Sequence, residues 1–456
     1  VSGFPLDEKV PDLPLPELQR HLCGGLLHVL AGFEVAGVAL GTLAVVTRGA
    51  QAVAEGHALR PDLAPLWGMA RVVALGHPEL ACRQLDLPLS GEVAPADLLA
   101  ILADAASEPL LALRPEQGGL WRPRVQRQDL QALPPQAAPV AADRWQVIAG
   151  GFGGLGMTLA VWLAEHGARR IALLGRSAPS PEAAATIARL RQQGVTVAEL
   201  RADLTDPATL ERAFDQLEGD IRGLYHCAVT RTLPVGADSD PWAAFGAVMA
   251  PKVEGAWALH RLSLERRWPL EAFVLFSSSV SVVPAYGLPH YVAANSFLDA
   301  LAQARQAQGL PAQSISWGAW LEVGAVADPA QAEHLRRGGL RGFRPAEGLA
   351  LFARVRKRAC AHLAVMDVDW TALLRQYAKG GIPPVFAAVA GAVRSPAGGM
   401  VKPDAIAGAG RDDAFLARVP WAVQLCRELG VDDLVSPATG RACVWHAGAL
   451  HPIPDG

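Results

Sequence analysis

The chain has 456 residues, a formal net charge of −3, 51% hydrophobic residues and 19% charged residues. It is long enough for two or three domains, and it has neither the basic excess of a nucleic-acid partner nor the charge run of a membrane-surface protein. No uninterrupted apolar run reaches the ~18 residues of a membrane span, and the start is no signal peptide. Six cysteines without a Cys-x-x-Cys pair favour a cytoplasmic protein without zinc or disulfides. A first residue other than Met suggests a piece of a longer polypeptide.

Residues 1–126 alternate between helical and strand-like patterns, without a motif that carries chemistry. Residues 1–20 are proline-rich and are expected to be an entry segment. Hydrophobic periodicity predicts helices over 22–30, 66–75 and 95–106, and strands over 42–46, 110–113 and 121–124. A scaffold without a site is the favoured interpretation of this region. Residues 127–142 mix proline, alanine and glutamine without a period, which predicts a linker.

A glycine-rich turn between two apolar runs organises the rest of the chain. A strand-like run over 147–149 leads into the turn, a helical pattern follows, and a second apolar run covers 171–174. This unit is typical of dinucleotide sites, because backbone N–H groups at a helix N-terminus must approach a pyrophosphate without a Cβ in the way. The predicted cofactor contacts in this turn are Gly151, Gly153, Gly154, Leu155 and Gly156.

The residues that follow the next two strands are further candidate contacts of the cofactor. An acid at the end of the second strand would bond a ribose 2′-OH, whereas a basic residue suits a 2′-phosphate. Arg176 and Ser177 stand there without an acid, which favours NADP(H), although a solvated loop arginine is the alternative. Asp203 and Leu204 follow a third predicted strand and are assigned to the adenine end. Asp203 is equally suited to cap the helix that follows, and both roles are compatible.

The alternation of elements continues to residue 317 and predicts the fold class. Helices are predicted over 181–193, 242–249, 253–267 and 288–308, and strands over 196–200, 221–226, 272–276 and 312–317. Strands that alternate with helices in this way indicate an α/β fold with a doubly wound parallel sheet.

Four polar residues match the needs of carbonyl reduction by hydride. Ser278 follows a strand at the end where open α/β sheets bind ligands, and Tyr291 and Asn295 share one helical face. Lys252 begins an earlier predicted helix. A tyrosine hydroxyl can protonate the developing alkoxide if a nearby lysine ammonium lowers the tyrosine pKa from about 10. A serine hydroxyl can bind the carbonyl oxygen, and an asparagine can bind a water that relays protons. Each residue alone is more often structural, but together they favour an oxidoreductase.

Several stretches resemble the ketoreductase domain of modular polyketide synthases, in the short-chain dehydrogenase/reductase superfamily. They are IAGGFGGLG, LLGRS, ADLTD, APKVEG, FVLFSSS, HYVAANSFLDALAQARQAQGLPA and SISWGAW, while PLWGMARVVALGHPEL and RQLDLP resemble that family's structural subdomain. The resemblance implies tandem Rossmann-like subdomains, a truncated structural one over 1–126 and a catalytic one over 143–377. Residues 127–142 would link them, and 378–456 would be a linker and C-terminal extension of uncertain role.

The resemblance also implies the roles of the site residues. Tyr291 would donate the proton, Ser278 would bind the ketone oxygen, and Lys252 and Asn295 would complete the catalytic tetrad without a metal. The cofactor would be NADPH. The substrate would be a β-ketoacyl group on the phosphopantetheine arm of an acyl carrier protein, reduced to the β-hydroxyacyl thioester among neighbouring megasynthase domains.

Three positions depart from the family pattern. Ala149 replaces a usual Thr, Val229 a Gly expected near the nicotinamide ribose, and Val283 the Trp of A-type domains. The B-type Leu-Asp-Asp motif is absent at 231–233, which leans towards an A-type product. These departures motivate an alternative, a reductively inactive structural or epimerising domain. A third hypothesis, a free-standing dehydrogenase of simple alcohols, is disfavoured by the large cofactor-free N-terminal half.

The tail has a different character. Residues 378–411 are rich in glycine, alanine and proline, which predicts a linker. The last stretch resembles an internal piece of flavin-dependent protoporphyrinogen oxidases, but it lacks a glycine fingerprint for FAD, so we assign it no flavin chemistry. Its pattern predicts a helix over 420–429 and short strands.

Overall fold

The computed structural model describes residues 13–36, 41–104, 108–128, 140–230, 241–323, 329–356, 360–377 and 381–394, and four strands between 415 and 452. The strands form two large, mostly parallel sheets. This confirms the predicted fold class of tandem Rossmann-like α/β subdomains.

The first sheet belongs to what we call the N-terminal unit, residues 13–123. Its elements are α1 (Leu15–Gln19), a π-helical turn (Arg20–Gly24), α2 (Gly25–Ala36), β1 (Thr42–Arg48), a 3-10 turn (Pro61–Leu63), α3 (Ala64–Gly76), β2 (Ala81–Leu87), α4 (Pro95–Ala103), β3 (Leu110–Arg114), a second 3-10 turn (Pro115–Gln117) and β4 (Gly119–Pro123). β1, β2 and β3 are parallel, and β4 runs antiparallel to β3. The six elements predicted here are found, whereas α1 and β2 had no sequence prediction.

A buried carboxylate near the end of β2 ties this unit together. Asp86 is fully buried and forms an ion pair with Arg114. It also accepts hydrogen bonds from the Thr47 hydroxyl at 2.7 Å and from the backbone N–H groups of Ala50 and Gln51 at 2.8 and 3.1 Å. One side chain therefore fixes the ends of β1, β2 and β3 relative to each other.

The second sheet contains the predicted dinucleotide-binding unit. Its elements are β5 (Gln126–Gln128), β6 (Trp145–Ala149), α5 (Gly154–Glu165), β7 (Arg170–Gly175), α6 (Pro181–Gln192), β8 (Thr196–Arg201), α7 (Pro207–Phe214), β9 (Ile221–His226), α8 (Pro241–Glu265), β10 (Ala272–Ser278), a 3-10 turn (Ser279–Ser281), α9 (Pro289–Ala307), β11 (Gln313–Trp317), α10 (Pro329–Arg337), β12 (Leu340–Arg341), α11 (Pro345–Val355), β13 (His362–Val368), α12 (Trp370–Arg375), a 3-10 turn (Pro384–Phe386), α13 (Ala387–Arg394) and β14 (Phe415–Arg418). The strand order is β5-β14-β13-β11-β10-β9-β6-β7-β8, and β12 pairs with β13. The strands from β13 to β8 are parallel, so their carboxyl ends meet at one edge.

One hydrophobic core runs through both sheets because α3 of the N-terminal unit packs along α9. Leu66 and Met69 of α3 belong to the same buried cluster as Phe297 and Leu301 of α9. A second cluster fills the opposite face of the larger sheet, under α5, α6 and α11. The central strands β6 and β11 are buried along their whole length, as expected for parallel strands covered on both faces.

The structure differs from the sequence predictions at three places. The predicted helices over 242–249 and 253–267 are one helix, α8, with Pro251 inside it. The predicted linker over 378–411 contains α13, and Phe386 before it is buried against the core. Residues 421–423 of the predicted tail helix form strand β15 (Trp421–Val423), which pairs with β4, so the helix prediction is wrong there. The rest of that prediction lies outside the described residues, as do positions 231–233.

Two further strands, β16 (Cys443–His446) and β17 (Ala449–Pro452), form an antiparallel pair. Throughout the described ranges, no helix combines the length and the apolarity that a membrane crossing needs. The same ranges contain no group of three His, Cys, Asp or Glu side chains arranged to hold a metal ion.

Replacing Asp86 by Ala should destabilise the chain strongly. The change leaves the Arg114 guanidinium, whose side chain is only 10% exposed, without its counter-ion. Breaking a buried pair from one side costs about 3–5 kcal/mol, so we expect a loss of this size in the free energy of unfolding, measured by denaturant titration. Glu265→Ala, which removes an exposed pair with Arg261, is the control and should change little. Equal midpoints for the two variants would contradict the role of Asp86.

Candidate active site

The turn between β6 and α5 has no room for a side chain at its first two glycines, Gly150 and Gly151. Gly150 adopts a φ of +81°, and the N–H of Gly151 donates to the Leu174 carbonyl at 3.1 Å. A Cβ on Gly151 would lie 2.8 Å from the Ile148 carbonyl oxygen and 2.9 Å from the Leu173 Cα. Both obstacles are backbone atoms of neighbouring strands, so glycine is required at this position.

The other predicted phosphate contacts surround the start of α5. Gly153 is the N-cap, and Gly154, Leu155 and Gly156 form the first helical turn. A Cβ on Gly156 would lie 2.8 Å from the Cα of Gly151, so this glycine lets the helix approach the turn. The first N–H groups of a helix have no intrahelical partner, and the helix dipole adds positive charge there. The turn is therefore shaped to hold an anionic group such as a pyrophosphate.

Two of the predicted cofactor contacts, Arg176 and Asp203, contact each other after the ends of β7 and β8. Arg176 Nη1 lies 3.7 Å from Asp203 Oδ2, and the arginine side chain is 63% exposed. Asp203 also accepts from the N–H and the hydroxyl of Thr205, at 2.9 and 2.7 Å. It does not cap α7. Asp206 does so by accepting from the Ala208 N–H at 3.0 Å, so the predicted capping role of Asp203 is wrong.

Exposed ion pairs contribute little free energy, so the Arg176 guanidinium can turn towards an anionic ligand at small cost. Ser177 is exposed beside it. Leu204 is different, because its side chain is buried in the core next to Gly255, where an added Cβ would lie 2.9 Å from it. Any contact between Leu204 and a cofactor would therefore involve its backbone.

Ser278, Tyr291 and Asn295 meet at the carboxyl end of β10. Ser278 is the last residue of that strand, and the other two lie one helical turn apart near the start of α9. Burial raises the pKa of the Tyr291 hydroxyl, and hydrogen bonding with the Ser278 and Asn295 side chains offsets this only in part. The predicted lowering of the tyrosine pKa by a lysine is therefore not found, and burial shifts this pKa in the opposite direction.

Lys252 is buried beside this group. Its Nζ donates to the Phe276 carbonyl at 2.9 Å and lies 5.9 Å from the centre of the Tyr291 ring. Its side chain is 3% exposed, and burial lowers its pKa to about 8. The hydrogen bond to Phe276 attaches the lysine to the strand that carries Ser278. All four predicted catalytic residues are thus brought together.

Two buried acceptor atoms at this edge have no partner among the described residues, Asn295 Oδ1 and His226 Nδ1. Asn295 Nδ2 donates to the Tyr291 carbonyl at 2.7 Å, and His226 Nε2 donates to the Pro251 carbonyl at 2.8 Å. Burial lowers the pKa of His226 to about 4, so its ring is neutral near pH 7. Such unpaired atoms are rare inside proteins and are typical of places that receive water or a ligand. His226 was not among the predicted site residues, although its position at the end of a predicted strand indicated this edge of the sheet.

The departures from the family pattern remove none of these groups. Ala149 is fully buried in β6, and Val283 is 5% exposed in a cluster with Val125 and Phe386. Val229 follows β9 and is 37% exposed. Burial raises the pKa of the neighbouring Cys227 thiol, which makes it a poor nucleophile.

Gly151→Ala should lower stability more than Gly153→Ala. The first substitution forces a Cβ against two backbone atoms, and overpacking of this kind costs about 1–3 kcal/mol. At position 153, φ is −78° and the nearest atom to an added Cβ, the Gly150 carbonyl oxygen, is 3.3 Å away. Thermal unfolding of both variants tests the difference, and an equally small shift for both would refute the close approach at Gly151.

Comparison with known proteins agrees with this geometry. Residues 145–322 match the family model of the KR domain. A solved structure described as an A1-type ketoreductase is 31% identical, with 82% of this chain and 78% of that one covered and a TM-score of 0.75. The first ketoreductase of the tylosin polyketide synthase is 30% identical, with 83% and 80% covered and a TM-score of 0.70. These matches extend beyond the catalytic half.

Curated relatives are polyketide synthase proteins. The spectinabilin polyketide synthase system protein NorA of Streptomyces orinoci is 35% identical over 400 residues, which is 85% of this chain and 20% of the relative. The pikromycin polyketide synthase component PikAIII of Streptomyces venezuelae is 33% identical over 380 residues, 78% of this chain and 23% of the relative. The chain thus spans about a fifth of the length of these relatives. With the solved ketoreductases matched over more than three quarters of their own length, the chain belongs to the ketoreductases of modular polyketide synthases, within the short-chain dehydrogenase/reductase superfamily.

Proposed function

We propose that the chain reduces a β-ketoacyl thioester to the β-hydroxyacyl thioester, with NADPH as the reductant and an acyl carrier protein as the carrier of the substrate. The observation that carries this proposal is the meeting of Ser278, Tyr291, Asn295 and Lys252 at the carboxyl end of β10. β10 and β6 lie on the same parallel sheet, so this group and the glycine turn share one edge.

The residues at this edge fit a phosphorylated dinucleotide. The N–H groups of Gly154, Leu155 and Gly156 would bind the pyrophosphate, and Asp203 would lie at the adenine end. Arg176 and Ser177 would bind the 2′-phosphate that distinguishes NADPH from NADH, with Arg176 released from its exposed pair with Asp203. When bound, the nicotinamide supplies the hydride.

The side chains then stabilise the oxygen that receives negative charge. The Ser278 hydroxyl would donate to the ketone oxygen, and the Tyr291 hydroxyl would donate its proton to the same atom. Because burial raises the tyrosine pKa, the hydroxyl stays protonated in the neutral range, as a proton donor for reduction requires. The Lys252 ammonium would stabilise the phenolate that remains. The free Oδ1 of Asn295 would hold the water that returns the proton.

The inactive or epimerising alternative has less support. It was motivated by Ala149, Val229 and Val283, and all four residues of the catalytic group are present despite these departures. The relatives are much longer polyketide synthase proteins, which supports partnership with an acyl carrier protein and neighbouring domains. The A-type product configuration remains a prediction from the missing Leu-Asp-Asp motif.

Tyr291→Phe should abolish reduction while NADPH binding persists. The change removes the proton donor and leaves the ring, so we expect turnover to fall roughly 10²- to 10⁴-fold. NADPH oxidation with a β-ketoacyl N-acetylcysteamine thioester measures turnover, NADH in parallel measures cofactor choice, and NADPH fluorescence measures binding. Wild-type turnover with NADPH but not NADH is expected. A wild-type chain that binds NADPH without turnover, or that shows neither binding nor turnover, would support the inactive alternative. Turnover by the Tyr291→Phe variant at the wild-type rate would show that the tyrosine is not the proton donor.

The value of kcat/KM for reduction should fall as the pH rises through about 8. The Lys252 pKa is about 8, so its ammonium is present below this pH and is lost above it. The pH dependence of kcat/KM reports ionisations of the free enzyme. Lys252→Arg keeps a cation at higher pH and should move the decline upwards. If the decline stays at the same pH in Lys252→Arg, another group causes it.

A further inference from the structure

We propose that Arg71, on α3 of the N-terminal unit, is a positioning residue of the active site that holds the turn after Ser278 in place. The inference rests on the proposed function, because it concerns the same catalytic group. It gives the cofactor-free unit a direct part in reduction, carried by one side chain.

Arg71 bonds the two carbonyls that end this turn. Its Nη1 donates to the Ser281 carbonyl at 2.5 Å, and its Nη2 donates to the Val282 carbonyl at 2.7 Å. The turn itself covers Ser279–Ser281 and begins directly after Ser278. A planar guanidinium with two parallel donors fixes both distance and direction, which a single-point donor such as lysine does not.

Buried polar side chains hold the turn from the other side. The Ser281 hydroxyl donates to the Ser278 carbonyl at 3.0 Å and shares a hydrogen bond with the Ser316 hydroxyl at 3.0 Å. The Ser316 hydroxyl has one proton, which goes either to Ser281 or to Asp299 at 3.2 Å, and all three of these side chains are buried. Ser278 therefore leaves β10 into a turn that the Arg71 guanidinium bonds on one side and the buried Ser316 hydroxyl contacts on the other.

The rest of α3 contacts the segment that carries the tyrosine. A Cβ on Gly68 would lie 3.1 Å from the Val292 carbonyl and well inside van der Waals contact with the Ser296 hydroxyl. A Cβ on Gly76 would lie 3.4 Å from the ring of Tyr286. Since Val292 and Ser296 directly follow Tyr291 and Asn295, α3 contacts the catalytic segment at both of its ends.

This placement predicts which kinetic quantities change. The glycine turn that would hold the cofactor follows β6, which β9 separates from β10, so the affinity for NADPH should depend little on Arg71. Ser278 and Tyr291 must be aligned on one oxygen atom, and displacements of about 1 Å can cost on the order of 100-fold in rate. Loss of Arg71 should therefore lower kcat more than it changes binding.

The test replaces Arg71 by Met in the full chain. We expect kcat with the thioester substrate to fall roughly 10- to 100-fold while the NADPH dissociation constant changes less than about twofold. Hydrogen exchange of the amides in residues 279–283 should become faster. Arg71→Lys, which keeps the charge but not the paired donors, should give an intermediate kcat.

Arg48→Met is the matched control. Arg48 also donates to two backbone carbonyls, those of Pro88 at 2.9 Å and Gly91 at 2.7 Å, but entirely within the N-terminal unit. It should leave kcat and the exchange of 279–283 unchanged. The proposal would be overturned if Arg71→Met kept the wild-type kcat and the wild-type rate of hydrogen exchange. It would also be overturned if Arg71→Met and Arg48→Met lost kcat equally and in proportion to their loss of thermal stability. A wild-type chain without turnover would refute the proposed reduction. Hydrogen exchange of residues 279–283, compared between the wild type and Arg71→Met, would still decide whether Arg71 holds the turn.

Discussion

The packing of α3 against α9 is the contact on which the rest of the structure depends. It is possible because Gly68 presents no side chain to Ser296, so the two helices approach at backbone distance. Through this contact, one hydrophobic core serves both sheets. The smaller sheet would otherwise leave the α3 face open to water, and the larger sheet would lack a cover over the helix that carries its tyrosine. The two halves complete each other's burial, which gives the N-terminal unit a structural role in the fold.

Burial also determines the protonation of the candidate site. It lowers the pKa of Lys252 and raises the pKa of Tyr291, so both groups are shifted towards their neutral forms. A neutral tyrosine can give a proton to an alkoxide, whereas a phenolate could only take one. Burial therefore keeps the tyrosine in the protonation state that the proposed reduction requires. The His226 ring next to α8 is neutral for the same reason, because its burial lowers its pKa.

The parts of the fold that depend on residues close together along the chain could be predicted from the sequence. The glycine turn at Gly151 and the helical face shared by Tyr291 and Asn295 are set by spacings of a few residues. Arg71 could not be assigned, because its acceptors lie 210 and 211 residues further along the chain. The choice of Asp206 over Asp203 as the cap of α7 depends on where the helix begins. Phe386 stood in a stretch rich in alanine, glycine and proline, so composition concealed that its ring is buried.

The distance along the chain between α3 and its partners has a consequence for biosynthesis. Arg71 is translated 210 residues before Ser281. The apolar residues of α3 are separated from their partners in α9 by a similar length of chain. At translation rates of about 5–20 residues per second, this interval is roughly 10 to 40 s. During that time the part of the α3 surface that packs against α9 has no partner in the nascent chain. The window in which chaperones would be needed is therefore set by the order in which the helices are translated, and it ends when α9 emerges.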